Sequence, residues 1–474
     1  MKRLTLFFLI TLSALLPVQS QSQLQVPSQS KPLVFTHVTV IDATGSPAKP
    51  DMTVMITSER ITTIGKTGKI RIPQDAQIVD GAGKFLIPGL WDMHTHLNLK
   101  EYLPLYIANG VTSIRIMFGF SMHHEWRNKI ENGALLGPRM VIASPLVDGP
   151  HPIHRGSIAV SNEAEARQAV TKVKQDGADF IKVYSLLPRD SYFALADEAR
   201  KQKIPFAGHV PRSVTAEEAS DAGQKSIEHL SGVAFACSNL EAELPADLVK
   251  LKADVAGGAN YLLSLRRLEG KHLDAYNEQK AEALFARFKK NDTWQVPTLA
   301  VMQSGAVLAD PNFNDPRFKY LPSEIRERDP RNSHVYQNFT AADYATLKKI
   351  LDKQLQIVGA MQRDGLKLMA GTDVPLVGFS LHDELVLLAK AGLTPMEALQ
   401  AATRNPARYL GLLDSLGTVE KGKIADLVLL EANPLQDISN TTKISTVVVR
   451  GRLLDRAKLD QMLAEVEAIA NQKP

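Results

Sequence analysis

Phe85-Leu-Ile-Pro-Gly-Leu-Trp-Asp-Met-His-Thr-His96 is the stretch from which the rest of the chain can be read. An apolar run ends in two histidines one residue apart, and alternate residues of a strand project to one face, so His94 and His96 stand side by side at a strand end. Alone, the pair could be two polar residues at a sheet margin; two adjacent imidazoles are equally a metal grip. The sequence downstream decides between these. Lys182 in Asp-Phe-Ile-Lys-Val-Tyr184, His209 in Phe-Ala-Gly-His-Val-Pro211, His229 in Ser-Ile-Glu-His-Leu230 and Asp373 in Leu-Met-Ala-Gly-Thr-Asp373 each close a short apolar run.

Around these residues, strand-like runs alternate with helix-like ones. The runs are Thr112 to Phe118, Arg139 to Ser144, Phe180 to Tyr184, Phe206 to Val210, Ser226 to Leu230, Gln295 to Val301 and Leu366 to Gly371. With the strand ending at His94 and His96 they make eight, and stretches such as Asn162 to Asp176 between them have helical composition and apolar spacing. Eight strand–helix repeats predict an α/β fold with a (β/α)8 barrel, whose functional groups gather at the carboxyl ends of the strands. The candidate ligands fall at those ends. Both flanks of this region are β-rich: Leu33 to Ile41, Met52 to Thr57, Ile61 to Gly65 and Gln77 to Leu86 on one side, Leu416 to Leu430 and Ile444 to Leu454 on the other. The expected organisation is a leader over 1–22, a first part of a flanking β-sandwich over 30–88, the barrel over 89–414 and the second part of the sandwich over 415–460. Two irregular stretches, 238–293 and 309–338, are read as walls or a lid over the barrel mouth, or as contacts between subunits.

Composition narrows the function classes. The chain has 474 residues, 44% of them hydrophobic and 22% charged, as in a globular protein with a large core. A formal net charge of +4, part of it from Lys2 and Arg3, is too small to imply nucleic acid or a polyanionic surface. Those two basic residues precede an apolar stretch from Leu4 to Leu16 and then small and polar residues, the pattern of a cleaved secretory signal with cleavage near Ser20 or Ser22. An exported, periplasmic or secreted protein without a membrane span is therefore expected. Cys237 is the sole cysteine, so no intramolecular disulfide can form.

The candidate ligands form a chemically coherent set. His209 and His229 lie far enough apart for one helix and two loops, which lets them cap adjacent parallel strands. Lys182 sits in an apolar strand, where burial favours the neutral amine. Such an amine can take up carbon dioxide as a carbamate whose oxygens could bridge two cations. Asp373, at the last strand, can bind a metal and touch a water held there.

These motifs resemble the amidohydrolase superfamily, in the branch of imidazolonepropionase-related enzymes and Xaa-Pro dipeptidase (prolidase)-like hydrolases. The resemblance runs through Gly89 to His96, Gly110-Val-Thr-Ser-Ile-Arg115, Gly137-Pro-Arg139, Gly177 to Lys182, Gly223 to His229, Val296-Pro-Thr298, Gly371-Thr-Asp373 and Gly392 to Thr403. It implies two divalent metal ions, zinc by ligand type. His94, His96 and Asp373 would hold the more buried ion and His209 and His229 the more exposed one, with a carbamate on Lys182 between them. It implies further that Asp373 is the catalytic base and then acid, taking a proton from water and passing it to a leaving amine.

Three departures from the family pattern fall at the substrate side. Ile114-Arg-Ile-Met-Phe-Gly119 keeps Arg115 but lacks an acidic neighbour, Gly208-His-Val-Pro211 replaces a His-Ala-His run, and Asp148-Gly-Pro-His-Pro-Ile-His-Arg155 replaces a Gly-Gly-His loop. Tyr184, Arg115, His151 and His154 are the candidate substrate-binding residues, with Arg155 beside them. His123 and His124 are expected at a helix surface, and His272, His334 and His382 have no motif around them. The expected function is a hydrolase of a C–N amide bond in a dipeptide or N-acyl amino acid. The alternatives are a lactone, ester or cyclic-amide hydrolase on the same metals and, last, a non-catalytic binding protein. The partner is a small molecule or dipeptide, and assembly into a homo-oligomer is left open.

Overall fold

The computed structural model describes residues 31–256, 260–310, 312–326, 331, 336 and 338–472. The expected leader over 1–22 and His334 lie outside these residues.

Two sheets organise the chain. The first is assembled from both ends: β1 (Leu33–Val40), β2 (Lys49–Thr57), β3 (Arg60–Lys66), β4 (Gln77–Asp80) and β5 (Phe85–Pro88) come from the N-terminal side. The second contains β6 (Leu90–Thr95), β7 (Val111–Ile116), β8 (Arg139–Asp148), β9 (Ile158–Ala159), β10 (Phe180–Val183), β11 (Phe206–Gly208), β12 (Ser226–Glu228) and β13 (Trp294–Val296). The chain then returns to the first sheet with β14 (Leu427–Leu430), β15 (Ile444–Val449) and β16 (Arg452–Leu454). Strand β5 is the join, lying parallel to β1 on one side and antiparallel to β14 on the other. At the far edge Arg60 sits opposite Ile424, so this mixed sheet curls round a core of its own that includes Phe35, Val54, Leu427 and Leu429.

The second sheet is parallel throughout and runs in the order β6-β7-β8-β10-β11-β12-β13, with the short β9 on the end of β8. Its strands read as continuous apolar segments because both faces are covered. Every residue of β7, Val-Thr-Ser-Ile-Arg-Ile, is buried. Helices between strands follow their local signals. Asn162 accepts the Glu165 N–H to start Glu163–Gln175, which buries Ala166, Ala169, Val170 and Val173 on one face.

The eighth barrel strand, expected over Leu366 to Gly371, is irregular. Residues 367–373 fill the gap between β13 and β6, where Met369 N–H donates to Gln295 O and Met93 N–H donates to Ala370 O. The ladder breaks because Thr372 and Asp373 both donate to His94 O, and Asp373 takes a left-handed conformation with φ 56°. Two other expected strands also differ. Gln77 to Leu86 is cut in two by a turn in which Lys84 N–H donates to Gly81 O, and the run from Gln295 turns helical at Leu299. The stretch 238–293 folds into helices Leu244–Ala256, Tyr261–Asp274 and Glu278–Lys290. Phe235, Leu251, Leu265 and Leu268 cluster beneath them, and Arg267 grips Asp343 of the long helix Ala341–Arg363.

Closure of the barrel depends on Gly371. A Cβ there would lie 2.7 Å from Val296 Cγ1 and 2.8 Å from the His94 backbone nitrogen. Gly371→Ala is expected to lower unfolding stability by about 1–3 kcal/mol in urea titration, the usual cost of forcing a carbon into a filled core. Glu384 supplies a second test. Its Oε2 accepts the Ala300 N–H at 2.7 Å, capping the helix Leu299–Ala306 from a neighbouring helix. Burial, with Asp92 nearby, raises its carboxyl from 4.5 to about 8. The folded chain thus keeps a proton that the unfolded chain has lost, and stability declines as pH rises from about 4.5 to 8. In Glu384→Gln that part of the slope is expected to vanish when unfolding is followed across this range.

Candidate active site

At the carboxyl ends of the barrel strands, Asp373 is ringed by imidazoles. Its Oδ1 lies 3.0 Å from His96 Nε2 and 3.7 Å from His94 Nε2, and its Oδ2 lies 3.7 Å from His229 Nε2. The ligand atoms of His94, His96 and Asp373 all fall within 4.8 Å of one another. His209 stands against His229 with ring centroids 4.9 Å apart. Lys182 is 1% exposed and lines the same cavity. The six residues expected from the sequence are thus brought to one place.

The backbone delivers them by turning sharply where each strand ends. His229, Thr298 and Asp373 all adopt left-handed φ values, 61°, 49° and 56°, which are costly for side chains larger than glycine. Gly208 lets His209 sit beside Lys182, since a Cβ there would meet Val183 O at 2.3 Å and Lys182 Cδ at 3.0 Å.

Each imidazole is also oriented from behind. Glu228 Oε2 accepts from His94 Nδ1 at 2.8 Å, while Arg115 Nη2 donates to Glu228 Oε1 at 2.8 Å and Ser226 Oγ donates to the same oxygen at 2.6 Å. The Thr298 hydroxyl donates to Pro297 O, so its oxygen is left to accept from His229 Nδ1 at 2.6 Å. Ser185 Oγ meets His209 Nδ1 at 2.8 Å. In all three rings Nδ1 is engaged and Nε2 keeps its lone pair, the arrangement that ligating histidines need.

Electrostatics favour the same state. Burial, with Lys182 nearby, lowers His94 to about 4, and burial drives His209 and His229 well below their ordinary value, so these imidazoles are neutral donors. Burial lowers Lys182 to about 8, against the opposing pull of Glu228 and Asp373. For Asp373 burial works against ionisation, but His94, His96 and His229 outweigh it and hold the carboxyl far below the usual range. Imidazoles presenting Nε2 to a carboxylate, with a buried lysine beside them, fit a divalent cation. Asp92, missed in the sequence, supports the floor: it accepts from the Thr372 hydroxyl at 2.7 Å and from the His94 N–H at 3.1 Å.

The cavity above the cluster has a volume of about 850 Å³, ample for a small organic ligand. Phe118, Phe120 and Leu146 form apolar surface on the barrel side, and Tyr261, Leu262 and Leu265 of the inserted helix form the facing wall. Tyr184 lies over His209, ring centroids 4.2 Å apart, and its hydroxyl is 2.9 Å from His154 Nε2. Tyr184, His154 and Arg155 therefore face the cavity as expected.

Arg115 and His151 do not. Arg115 is fully buried beneath the site, where its guanidinium is consumed by Glu228, Ser226 and the Met93 carbonyl, so it cannot reach a substrate. His151 is exposed outside the cavity. Asp148 takes the N–H groups of Ile153 and Leu186, and in this turn Ile153, His154 and Arg155 line the cavity while His151 does not. His123 is buried rather than superficial, with Nε2 2.6 Å from Leu97 O. His382 is likewise buried, between Thr441 and Asn109 O.

Residues 85–454 match the amidohydrolase family. The chain is 26% identical to an imidazolonepropionase of Mesorhizobium japonicum over 389 residues, 75% of this chain and 79% of that one. An ochratoxinase of Aspergillus niger is 32% identical over 96 residues, a match that spans only 20% of each protein. A solved Xaa-Pro dipeptidase with methionine bound in its active site superposes with a TM-score of 0.65 at 19% identity, covering 90% of this chain and 100% of that one. That likeness establishes the fold.

The orienting role of Glu228 can be measured directly. Glu228→Gln leaves Arg115 buried without a counter-charge and weakens the hold on His94. It is expected to reduce divalent-cation affinity about 10–100-fold, as read by titrating metal-free protein with zinc. The unfolding midpoint is expected to fall as well.

Proposed function

We propose that this chain, which belongs to the amidohydrolase family, is an exported binuclear hydrolase that cleaves the amide bond of a dipeptide of the Xaa-Pro kind or of an N-acyl amino acid. The observation that carries this reading is the Asp373 carboxylate held among His94, His96 and His229 in a cavity of about 850 Å³. The imidazolonepropionase and Xaa-Pro dipeptidase likenesses support cleavage of a C–N bond. Export is supported by the basic pair Lys2-Arg3 ahead of the apolar stretch Leu4 to Leu16.

In this reading His94, His96 and Asp373 would hold one cation and His209 and His229 the other, with a carbamate on Lys182 as a further ligand. The lowered basicity of Lys182 suits that reaction, in which its neutral amine adds to carbon dioxide and releases a proton. Two divalent cations, zinc by donor type, supply Lewis acidity that sharpens water as a nucleophile and polarises the scissile carbonyl. The protein's own groups do the rest. Asp373 accepts the proton lost from the attacking water and returns it to the departing nitrogen, base and then acid in one turnover. Tyr184 and His154, linked to each other, present a hydrogen-bonding edge to the substrate. The inserted wall bearing Tyr261 and Leu265 lines one side of the cavity in which the substrate would sit.

Metal content of the purified protein, with turnover of Xaa-Pro dipeptides, N-acyl amino acids and lactones, tests this reading. Two metals per chain and amide turnover are expected. Turnover of lactones alone would replace the amide assignment, and absence of both metal and turnover would end it. Asp373→Asn is expected to lose roughly a thousandfold or more in kcat/KM while retaining substantial metal, whereas Lys182→Ala is expected to lower metal content. Wild-type rates in Asp373→Asn would remove the proton shuttle.

A further inference from the structure

Arg212 follows Pro211 in the loop after β11, three residues beyond His209, and faces the cavity. Its backbone N–H donates to Ser185 O at 2.9 Å, which ties this loop to the one carrying Tyr184. Arg212 thus sits near the His209 end of the cluster. Its guanidinium rests against the ring of Phe235, with Cζ 5.8 Å from the centroid, and its Nε–H reaches the Tyr261 hydroxyl at 3.4 Å. Neither neighbour is a carboxylate.

Among the described residues no carboxylate lies within ion-pair distance of Arg212. The acid nearest in the wall is Glu269, and Arg266 already occupies it at 2.6 Å. Three arginines, Arg155, Arg212 and Arg266, thus face the cavity, against one glutamate on the wall and Asp373 among the histidines. Glu269 acts on Arg212 only from beyond ion-pair distance, so no carboxylate occupies the guanidinium fork, which stays open to an anionic group entering the cavity.

We propose that Arg212 anchors a free carboxylate on the departing half of the substrate, making the site selective for amides whose amine half is an amino acid. This deepens the amide-hydrolase reading above and rests on it. In such a substrate the carboxylate is attached one carbon away from the scissile nitrogen, so a group fixed beside His209 and Tyr184 also fixes the bond to be cut. Leu262 and Leu265, on the same helix as Tyr261, flank this position with apolar surface and favour an apolar side chain on that amino acid. Arginine suits the role because its fork binds both carboxylate oxygens at once.

The test pairs a change in the enzyme with a change in the ligand. Metal-loaded wild type and Arg212→Met are assayed with N-acetyl-L-phenylalanine and N-acetyl-L-phenylalaninamide. Calorimetry then follows binding of N-methylsulfonyl-L-phenylalanine, which cannot be hydrolysed at an amide, and of its carboxamide. Arg212→Met is expected to lose on the order of a hundredfold in kcat/KM and in affinity for the carboxylates. The carboxamides are expected to change less than about threefold, with Arg212→Lys recovering part of the loss. Equal losses for both ligand types would show a structural role and overturn the anchor, as would undiminished carboxylate binding in Arg212→Met. Wild type that turns over neither compound, yet binds the sulfonyl carboxylate through Arg212, would uphold the anchor while removing N-acyl phenylalanine cleavage from the proposed function. Failure of the wild type to bind either sulfonyl probe would overturn the anchor.

Discussion

A single buried carboxylate organises this active site. Glu228 has no contact with solvent, and it is shared between Arg115 of β7 and His94 of β6 while Ser226 of its own strand donates to it as well. Burial resists ionisation of Glu228, but Arg115 and His94 offset that cost and keep it charged. An ion pair this deep adds little net stability over an apolar core; its value lies in fixing one geometry. Here it fixes the tautomer of His94 and joins strands on opposite sides of the barrel interior. Arg115 completes the arrangement by donating to the Met93 carbonyl, which locks the backbone one residue before His94.

The other candidate ligands and the residues behind them are placed by backbone that no regular strand would adopt. His229, Thr298 and Asp373 turn left-handed as their strands end, and Gly208 and Gly371 remove the side chains that would hold the strands apart. Strain is thereby concentrated on the rim that carries the candidate ligands, supported by a floor in which Asp92 stitches Thr372 to His94.

Much of this could be read from the residues. His94, His96, Lys182, His209, His229 and Asp373 each interrupt the end of an apolar run, and a polar group placed there must emerge at a strand terminus; the parallel barrel then converges those termini. Arg115 carried the same signal but belongs below the rim, because it lies inside its strand with Ile116 beyond it. Its depth pointed to a buried partner. Glu228, between Ile227 and His229, was that partner, and two opposite charges in two apolar strands were the available clue. The eighth strand was legible as a run but not as an irregular ribbon, since its shape depends on both Thr372 and Asp373 donating to one carbonyl. His151 and His154 are two alternatives in one loop, and only the Asp148 turn decides which faces inward. Arg212 gave no warning at all: it lies beyond the strand in a polar loop, and its importance arises from helices inserted some fifty residues later.

The strand β5 has a consequence for how the molecule is made. It pairs with β1, its near neighbour, and with β14, whose residues 427–430 are reached only after the whole barrel has been synthesised. Until then β5 carries an open edge, and closing that contact means bringing together segments separated by more than three hundred residues. A nascent chain therefore holds an unfinished sheet throughout elongation. Its exposed strand is a template for wrong partners, including the same edge on another copy. Yield on expression should thus be governed by how long that edge waits, making slow translation or truncation near the C-terminus a hazard of aggregation even where no active-site residue is touched.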